Sequence, residues 1–269
     1  MNTQSSLSML HERVREAARA QDERALRTLL GVLRSDGRVG ARVLLESAAR
    51  RFQGIRAERL RFERLFERAR ALRRAGAKLV AGVDEVGVGP LAGPLVAAAV
   101  VLPDPVELPG LNDSKRLSSS QREKLAAAIQ RQALALAVAE VWPPEIDMLN
   151  VYRASLEAMR RAVLALPLVP DHVLVDARSI PALPMPQTAI QGGDASEGAI
   201  AAASIVAKVH RDTIMRRTEG IYPGYGFTRH VGYGTRAHLA ALDRLGPCPL
   251  HRRSFAPVAQ RVAGARGGL

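Results

Sequence analysis

The chain has 269 residues, 47% of them apolar and 4% aromatic, and a net charge of +13. That apolar content excludes wholesale disorder and rests the core on Ala, Leu, Val and Ile. The single cysteine, Cys248, excludes an intramolecular disulfide and suits a reducing cytoplasm.

No apolar run approaches the roughly 20 residues that span a bilayer. The amino terminus shows no basic leader followed by an apolar stretch. Neither a membrane nor a secretory role is expected, and nothing demands more than a monomer. The charge is uneven. Residues 1–78 hold 19 Lys/Arg against 9 Asp/Glu, a net of +10, and residues 79–269 hold 20 against 17, a net of +3. A basic appendage on a nearly balanced body fits a polyanion such as nucleic acid, or an Arg-rich solvated helix surface.

In chain order, residues 7–33, 39–53 and 55–75 read as helices, with Leu26, Leu29, Leu30 and Leu33 at helical spacing and a break at Ser35-Asp36-Gly37. Residues 1–77 are therefore expected to form a basic helical extension without a large apolar face of its own. From Lys78 the texture changes. LVAGVDEVG and PLVAAAVVL are buried-strand candidates joined by the tight loop GVGPLAG, so part of the sheet is antiparallel. A helix over Ser118–Arg131 follows, capped by Ser118. Next come a strand at Leu134–Trp142, a helix at Glu145–Ala165, a strand at His172–Asp176 and a short strand at Gln187–Ile190. A helix over Ala195–Arg217, a Gly/Tyr/His loop and a helix at Thr235–Leu245 complete the pattern. Strands interleaved with helices give an α/β layer fold. Residues 78–258 are expected to form the main domain and 259–269 a flexible tail.

Four acids stand in unusual settings. Asp84 and Glu85 end an almost uncharged strand, Asp176 ends HVLVD, and Asp194 precedes a helix in QGGDAS. Burying such groups is costly unless positive charge meets them. Carboxylates converging at a sheet edge suit Mg²⁺ or Mn²⁺, and two such ions roughly 4 Å apart serve phosphodiester hydrolysis. There is no Cys/His cluster for zinc. Each acid also has a structural reading: Asp194 as a helix cap, Asp176 bonded to a turn. Neighbouring strand residues face opposite ways, so Asp84 and Glu85 serve one site only if the backbone twists or one binds through another atom. The run Gly87-Val88-Gly89-Pro90 is no phosphate-binding fingerprint, because prolines interrupt it and no GK[ST] follows.

Eight blocks, AGVDEVGVGPLAGP, LNDSKRLS, EIDMLNVYRASLEAM, VLVDARSIP, GGDASEGAIAAASIVAKVHRD, YPGYGF, HVGYGTRAHLAAL and HRRSF, occur in the order found in bacterial ribonuclease HII. Over residues 78–258 the chain resembles that family. The resemblance implies a ribonuclease H-like mixed β-sheet flanked by helices, with a helical N-terminal extension and a helical C-terminal region. It implies an endoribonuclease acting on RNA–DNA hybrids and on ribonucleotides embedded in duplex DNA. Asp84, Glu85, Asp176 and Asp194 would hold two divalent ions, Mn²⁺ or Mg²⁺, and the products would carry a 3′-hydroxyl and a 5′-phosphate. Tyr233 would pack on the sugar beyond the junction and, with the backbone of Gly87, Val88 and Gly89, sense the ribose 2′-hydroxyl. Lys115 and Lys208 are candidate phosphate contacts, although spacing alone makes Lys208 a solvated helix residue. Arg252 and Arg253 fit phosphate contacts or a tie to the body.

One departure stands out. The family's Gly-Arg-Gly or Gly-Lys-Gly triplet is here Gly87-Val88-Gly89, which loses a cation and introduces a stiff residue that dislikes positive φ. Weaker, less junction-selective binding with retained catalysis is expected. Ala177, where glycine is usual, and the doubled Gly192-Gly193 leave the acids untouched. Competing readings are a hybrid-binding relative with feeble cleavage, an integrase- or resolvase-like DNA nuclease, and a glycosidase, for which aromatics are too few.

Overall fold

The computed structural model describes residues 6–266, and the chain divides into two compact units at Arg64/Leu65. In the first unit, α1 (Leu7–Arg19) and α2 (Glu23–Arg34) lead into α3 (Val39–Leu65). Ser6 accepts the Met9 N–H at 3.2 Å and Asp22 the Ala25 N–H at 2.9 Å, each satisfying a free helix donor. Gln21, at φ 54°, breaks the expected 7–33 helix in two, whereas the expected 39–53 and 55–75 helices merge across Gly54. The absence of an apolar face was overstated. Leu10, Val14, Leu26, Leu29, Leu30, Leu33 and Ala41 form a buried cluster, because several narrow stripes together make a core that no single helix shows.

The second unit begins with α4 (Glu67–Arg74), ahead of the expected 77/78 boundary. Ala69 is buried with Val80, Leu174, Ile190 and Ile200, and Leu72 packs on them, which ties α4 to this unit. Strands β1 (Val80–Val86), β2 (Leu95–Val101), β3 (Ala135–Val141), β4 (His172–Asp176) and β5 (Gln187–Ile190) form one sheet in the order β3-β2-β1-β4-β5. β1, β2 and β3 pair antiparallel, while β1–β4 and β4–β5 are parallel. The tight loop after β1 makes the hairpin, and the helices between β3 and β4 supply the crossover that a parallel neighbour requires.

α5 (Ser119–Gln132) carries a capping box between Ser118 and Gln121. The single helix expected over Glu145–Ala165 is instead α6 (Pro143–Leu149) and α7 (Val151–Leu164). Asn150, at φ 66°, breaks it and accepts the Arg153 N–H at 3.1 Å. Likewise α8 (Gly193–Ser196) and α9 (Gly198–Ile221) are separated by an extended Glu197. α10 (Phe227–His230), α11 (Arg236–Leu245) and α12 (Ala256–Arg266) follow. The stretch read as a flexible tail is thus helical to Arg266, and residues 267–269 lie outside the described residues.

The sheet has a helix layer on each face. Ala81, Val83, Leu95, Ala97, Ala99 and Val101 are buried with Ala154, Ala158, Met159 and Ala162 of α7. On the other face α9 crosses β1 so closely that a Cβ on Gly82 would fall 2.1 Å from the Ala199 carbonyl carbon. Small residues on both elements make this approach possible, which is how a core works with so few aromatics. Each fully buried Leu or Ile contributes about 1.5–3 kcal/mol.

Candidate active site

β1 and β4 run side by side in parallel with Val83 opposite Val175, so Asp84 and Asp176 leave neighbouring strands at the same level. Period-two alternation fixes where the β1 acids point. Gly82 faces α9, and Ala81 and Val83 face α7. Asp84 accordingly lies on the α9 face beside Ser204, and Glu85 lies on the α7 face beside Ser155. Asp176 bears electrostatically on both. The Gly193 N–H donates to Asp176 Oδ1 at 2.7 Å, which brings Asp194 of α8 alongside, and Lys115 Nζ donates to Asp194 Oδ2 at 2.9 Å. Glu85, Asp84, Asp176, Asp194 and Lys115 thus form one connected chain of charges at the end of the sheet.

Burial dominates their chemistry. It pushes Asp84 well above the usual carboxylate range, with Glu85 and Asp176 adding to the shift. Burial also raises Glu85 and Asp176, each with a neighbouring acid contributing. Lys115 is raised, chiefly by its hydrogen bond to Asp194. Four carboxylates against the Lys115 ammonium and the Arg178 guanidinium beside Glu85 still leave negative charge that a cation would relieve. The donor set is all oxygen and fits a hard divalent ion. Among the described residues no three acids, histidines or cysteines are already gathered around one point, so the carboxylates are neighbours and not a closed cage. The capping role weighed for Asp194 does not hold: the residue capping α8 is Gly192 and the residue capping α9 is Glu197, without a side-chain bond.

The glycine loop behaves differently from expectation. Positive φ falls on Gly87, at 89°, and not on Val88. Val88 is half-buried and packs on the α7-side core, so the feared backbone strain does not arise there. Gly89 is exposed, and a Cβ on it would lie 3.8 Å from Cε1 of Tyr233, itself 45% exposed. The structure therefore brings the triplet and Tyr233 together. Lys115 joins the acids, but Lys208 Nζ is 2.7 Å from Asp212 Oδ1, paired along its own helix. Ala177 takes φ 55°, the left-handed region that glycine enters without penalty.

Comparisons with known proteins now decide the family. A family model described as Ribonuclease HII matches residues 81–258. The chain belongs to the ribonuclease HII family. It is 50% identical over 230 residues to a Ribonuclease HII of Anaeromyxobacter sp. (strain Fw109-5), covering 86% of this chain and 73% of that one. It is 49% identical over 231 residues to a Ribonuclease HII of Geobacillus thermodenitrificans (strain NG80-2), covering 86% and 89%. Its fold matches the crystal structure of the ribonuclease H2 from Pyrococcus horikoshii OT3 with a TM-score of 0.59 at 28% identity, covering 70% of this chain and 99% of that one. The ribonuclease H-like α/β fold expected from the sequence is the one observed. Among the described residues no helix is long and apolar enough to cross a membrane.

Several residues around this family's fold escaped the sequence reading. Ser204 and Arg211 both lie on the buried face of α9. Their spacing from Ala207 and Met215 would have shown a hydroxyl and a cation on an apolar stripe. Arg211 donates to the carbonyls of Pro94 at 2.9 Å, Val231 at 2.9 Å and Ala92 at 3.2 Å. Arg252 is fully buried, resolving the choice left open for it in favour of a tie to the body. Burial, with Arg211 beside it, pulls it down to about 9, so it remains charged at neutral pH. Glu197 is also fully buried, and neither carboxylate oxygen has a hydrogen-bond partner among the described residues. Burial raises it to about 7, opposed by Arg68 and Arg73.

Proposed function

We propose that this chain is a metal-dependent endoribonuclease that hydrolyses the RNA strand of RNA–DNA hybrids and nicks duplex DNA 5′ of an embedded ribonucleotide. The observation that carries this reading is the chain of mutually repelling, buried acids where β1 and β4 end side by side. Asp84, Glu85, Asp176 and Asp194 would hold the divalent ions. When bound, these supply an activated water and stabilise the leaving oxygen. Hydrolysis adds water across the P–O3′ bond, so the 5′ fragment keeps a 3′-hydroxyl and the ribonucleotide keeps its 5′-phosphate.

The protein's own groups do the rest. Oδ1 of Asp176 is held by the Gly193 amide, which fixes the carboxylate's orientation. Lys115, with its side chain 80% exposed, pairs with Asp194 in the free chain and would meet a phosphate of the substrate. The Gly87–Gly89 backbone and the Tyr233 ring would read the ribose, whose 2′-hydroxyl alone separates RNA from DNA at that position. The basic residues of the first unit would add sequence-independent attraction to phosphates. We place the enzyme in the cytoplasm, acting as a monomer with Mg²⁺ or Mn²⁺.

The test is a duplex carrying one ribonucleotide, incubated with either metal. A nick on its 5′ side with 3′-hydroxyl and 5′-phosphate ends is expected. Equal cutting of an all-DNA duplex would favour the integrase-like reading, and binding without nicking in both metals would favour a hybrid-binding relative.

A further inference from the structure

Two residues adjacent in the chain, His251 and Arg252, are both buried and reach the two elements assigned above to ribose reading. Arg252 holds the glycine loop. Its Nη2 donates to Gly87 O at 2.6 Å and Gly93 O at 2.9 Å, Nη1 to Val88 O at 3.0 Å, and Nε to Gly93 O at 3.1 Å. The guanidinium also lies over the Phe255 ring, 5.2 Å from its centre.

This geometry has a consequence for the amides. In a trans peptide the C=O and the following N–H point in opposite directions. Drawing the Gly87 and Val88 carbonyls toward Arg252 therefore turns the Val88 and Gly89 N–H groups away from it. Among the described residues neither N–H has an acceptor. Gly89 is exposed beside Tyr233. Two consecutive donors thus point away from Arg252 on the loop whose Gly89 adjoins the tyrosine ring, whichever side chain residue 88 carries.

His251 reaches the tyrosine. Its Nε2 is 3.1 Å from His238 Nε2, and His238 Nδ1 is 2.9 Å from Tyr233 O. A carbonyl only accepts, so His238 Nδ1 carries a proton and its Nε2 does not. His251 Nε2–H then donates to His238, which leaves His251 Nδ1 to accept the Cys248 N–H at 3.0 Å. The donors run one way, Cys248 to His251 to His238 to Tyr233. Backbone bonds close the unit: Leu91 N–H to Gly232 O at 2.8 Å, Gly93 N–H to Leu250 O at 2.8 Å and Arg252 N–H to Leu91 O at 2.9 Å.

We infer that His251 and Arg252 form one positioning element that sets the Val88 and Gly89 amides and the Tyr233 ring in register for a ribose 2′-hydroxyl. The inference rests on the ribose-reading assignment above. Neither residue is placed to touch substrate, so both act through the groups they hold.

The test uses the full chain with Mg²⁺ and three readouts: kcat and KM on a duplex with one ribonucleotide, affinity for an all-DNA duplex of the same sequence, and Tm. Arg252→Lys keeps a cation but loses the fork that holds several carbonyls at once. It should lower kcat/KM on the ribonucleotide duplex about tenfold or more, since misplacement near 1 Å costs up to about 10²-fold, with all-DNA affinity within about twofold of wild type. His251→Asn keeps an amide near Cys248 but stops short of His238, and should fall in the same direction. His251→Gln reaches His238 and should restore most of the loss. Folded variants that cleave like wild type, or that lose cleavage and all-DNA affinity in equal proportion, would overturn the inference. If Arg252→Lys does not fold, the Asn/Gln pair at 251 decides alone. A wild-type chain that treats both duplexes alike overturns the ribose-reading assignment itself. A discriminating wild type with indifferent variants overturns only the positioning role.

Discussion

Two regions of the second unit bury charge in opposite ways. At the sheet end, Asp84 is buried and Glu85 and Asp176 are half-buried beside other acids, and burial raises all three. Under the C-terminal helices, Arg211 and Arg252 are buried more deeply still, but each fork is filled by backbone carbonyls. The two histidines of the relay there are neutral: burial holds His238 below its usual value and His251 at about 4. The contrast separates function from scaffolding. A charge matched by fixed dipoles holds a loop, whereas charges left facing one another await a ligand of opposite sign.

The largest effect should come from removing one unmatched acid. Asp84→Asn should lower cleavage on the order of 10⁴-fold, as loss of a group acting in a unit does, with the fold intact by circular dichroism. Wild-type-like turnover would take Asp84 out of the mechanism. A smaller effect concerns Glu197, away from the strand ends, a buried acid whose carboxylate oxygens have no hydrogen-bond partner among the described residues. Its folded value of about 7 lies above the usual 4.5. Below pH 4.5 both states hold the proton and its burial costs nothing. Between pH 4.5 and about 7 the unfolded chain releases this proton while the folded chain keeps it, so stability is lost across that window and no further above it. Glu197→Gln should therefore stabilise the chain by up to about 3 kcal/mol at pH 8, and the gain should shrink toward pH 5. An equal gain at both pH values in urea unfolding would show that charge is not the cause. The smallest effect is local: Ala177→Gly, at φ 55°, should stabilise by about 1 kcal/mol. No change in unfolding midpoint would mean the turn relaxes.

The sequence shows one of these regions far better than the other. Strand-terminal acids in apolar runs are conspicuous, because nothing but chemistry puts Asp84 after LVAGV. The strands, too, are legible from their apolar runs and turns. Helix breaks are harder. Asn150 and Gln21 look like ordinary helix-surface residues, and only their positive φ, set by tertiary packing, ends the helices there. Arg252 was legible only as a cation near the tail, since its partners lie about 160 residues away in sequence and are carbonyls, which leave no trace in side-chain identity. Val88 misleads for a related reason: the triplet's demand for positive φ falls on Gly87, so the substituted position bears no strain.

The central claim is that the sheet-end acids are held apart from their proper counter-charge until divalent cations arrive. The direct measurement is Tm for wild type and Asp84→Asn, in chelator and with Mn²⁺. With chelator present, Asp84→Asn should melt at or above wild type, because one repelling charge is gone. With Mn²⁺, wild type should gain several degrees, as any ligand of the native state confers, and the variant should gain far less. A variant that melts well below wild type in chelator, or an equal Mn²⁺ gain in both proteins, would contradict it.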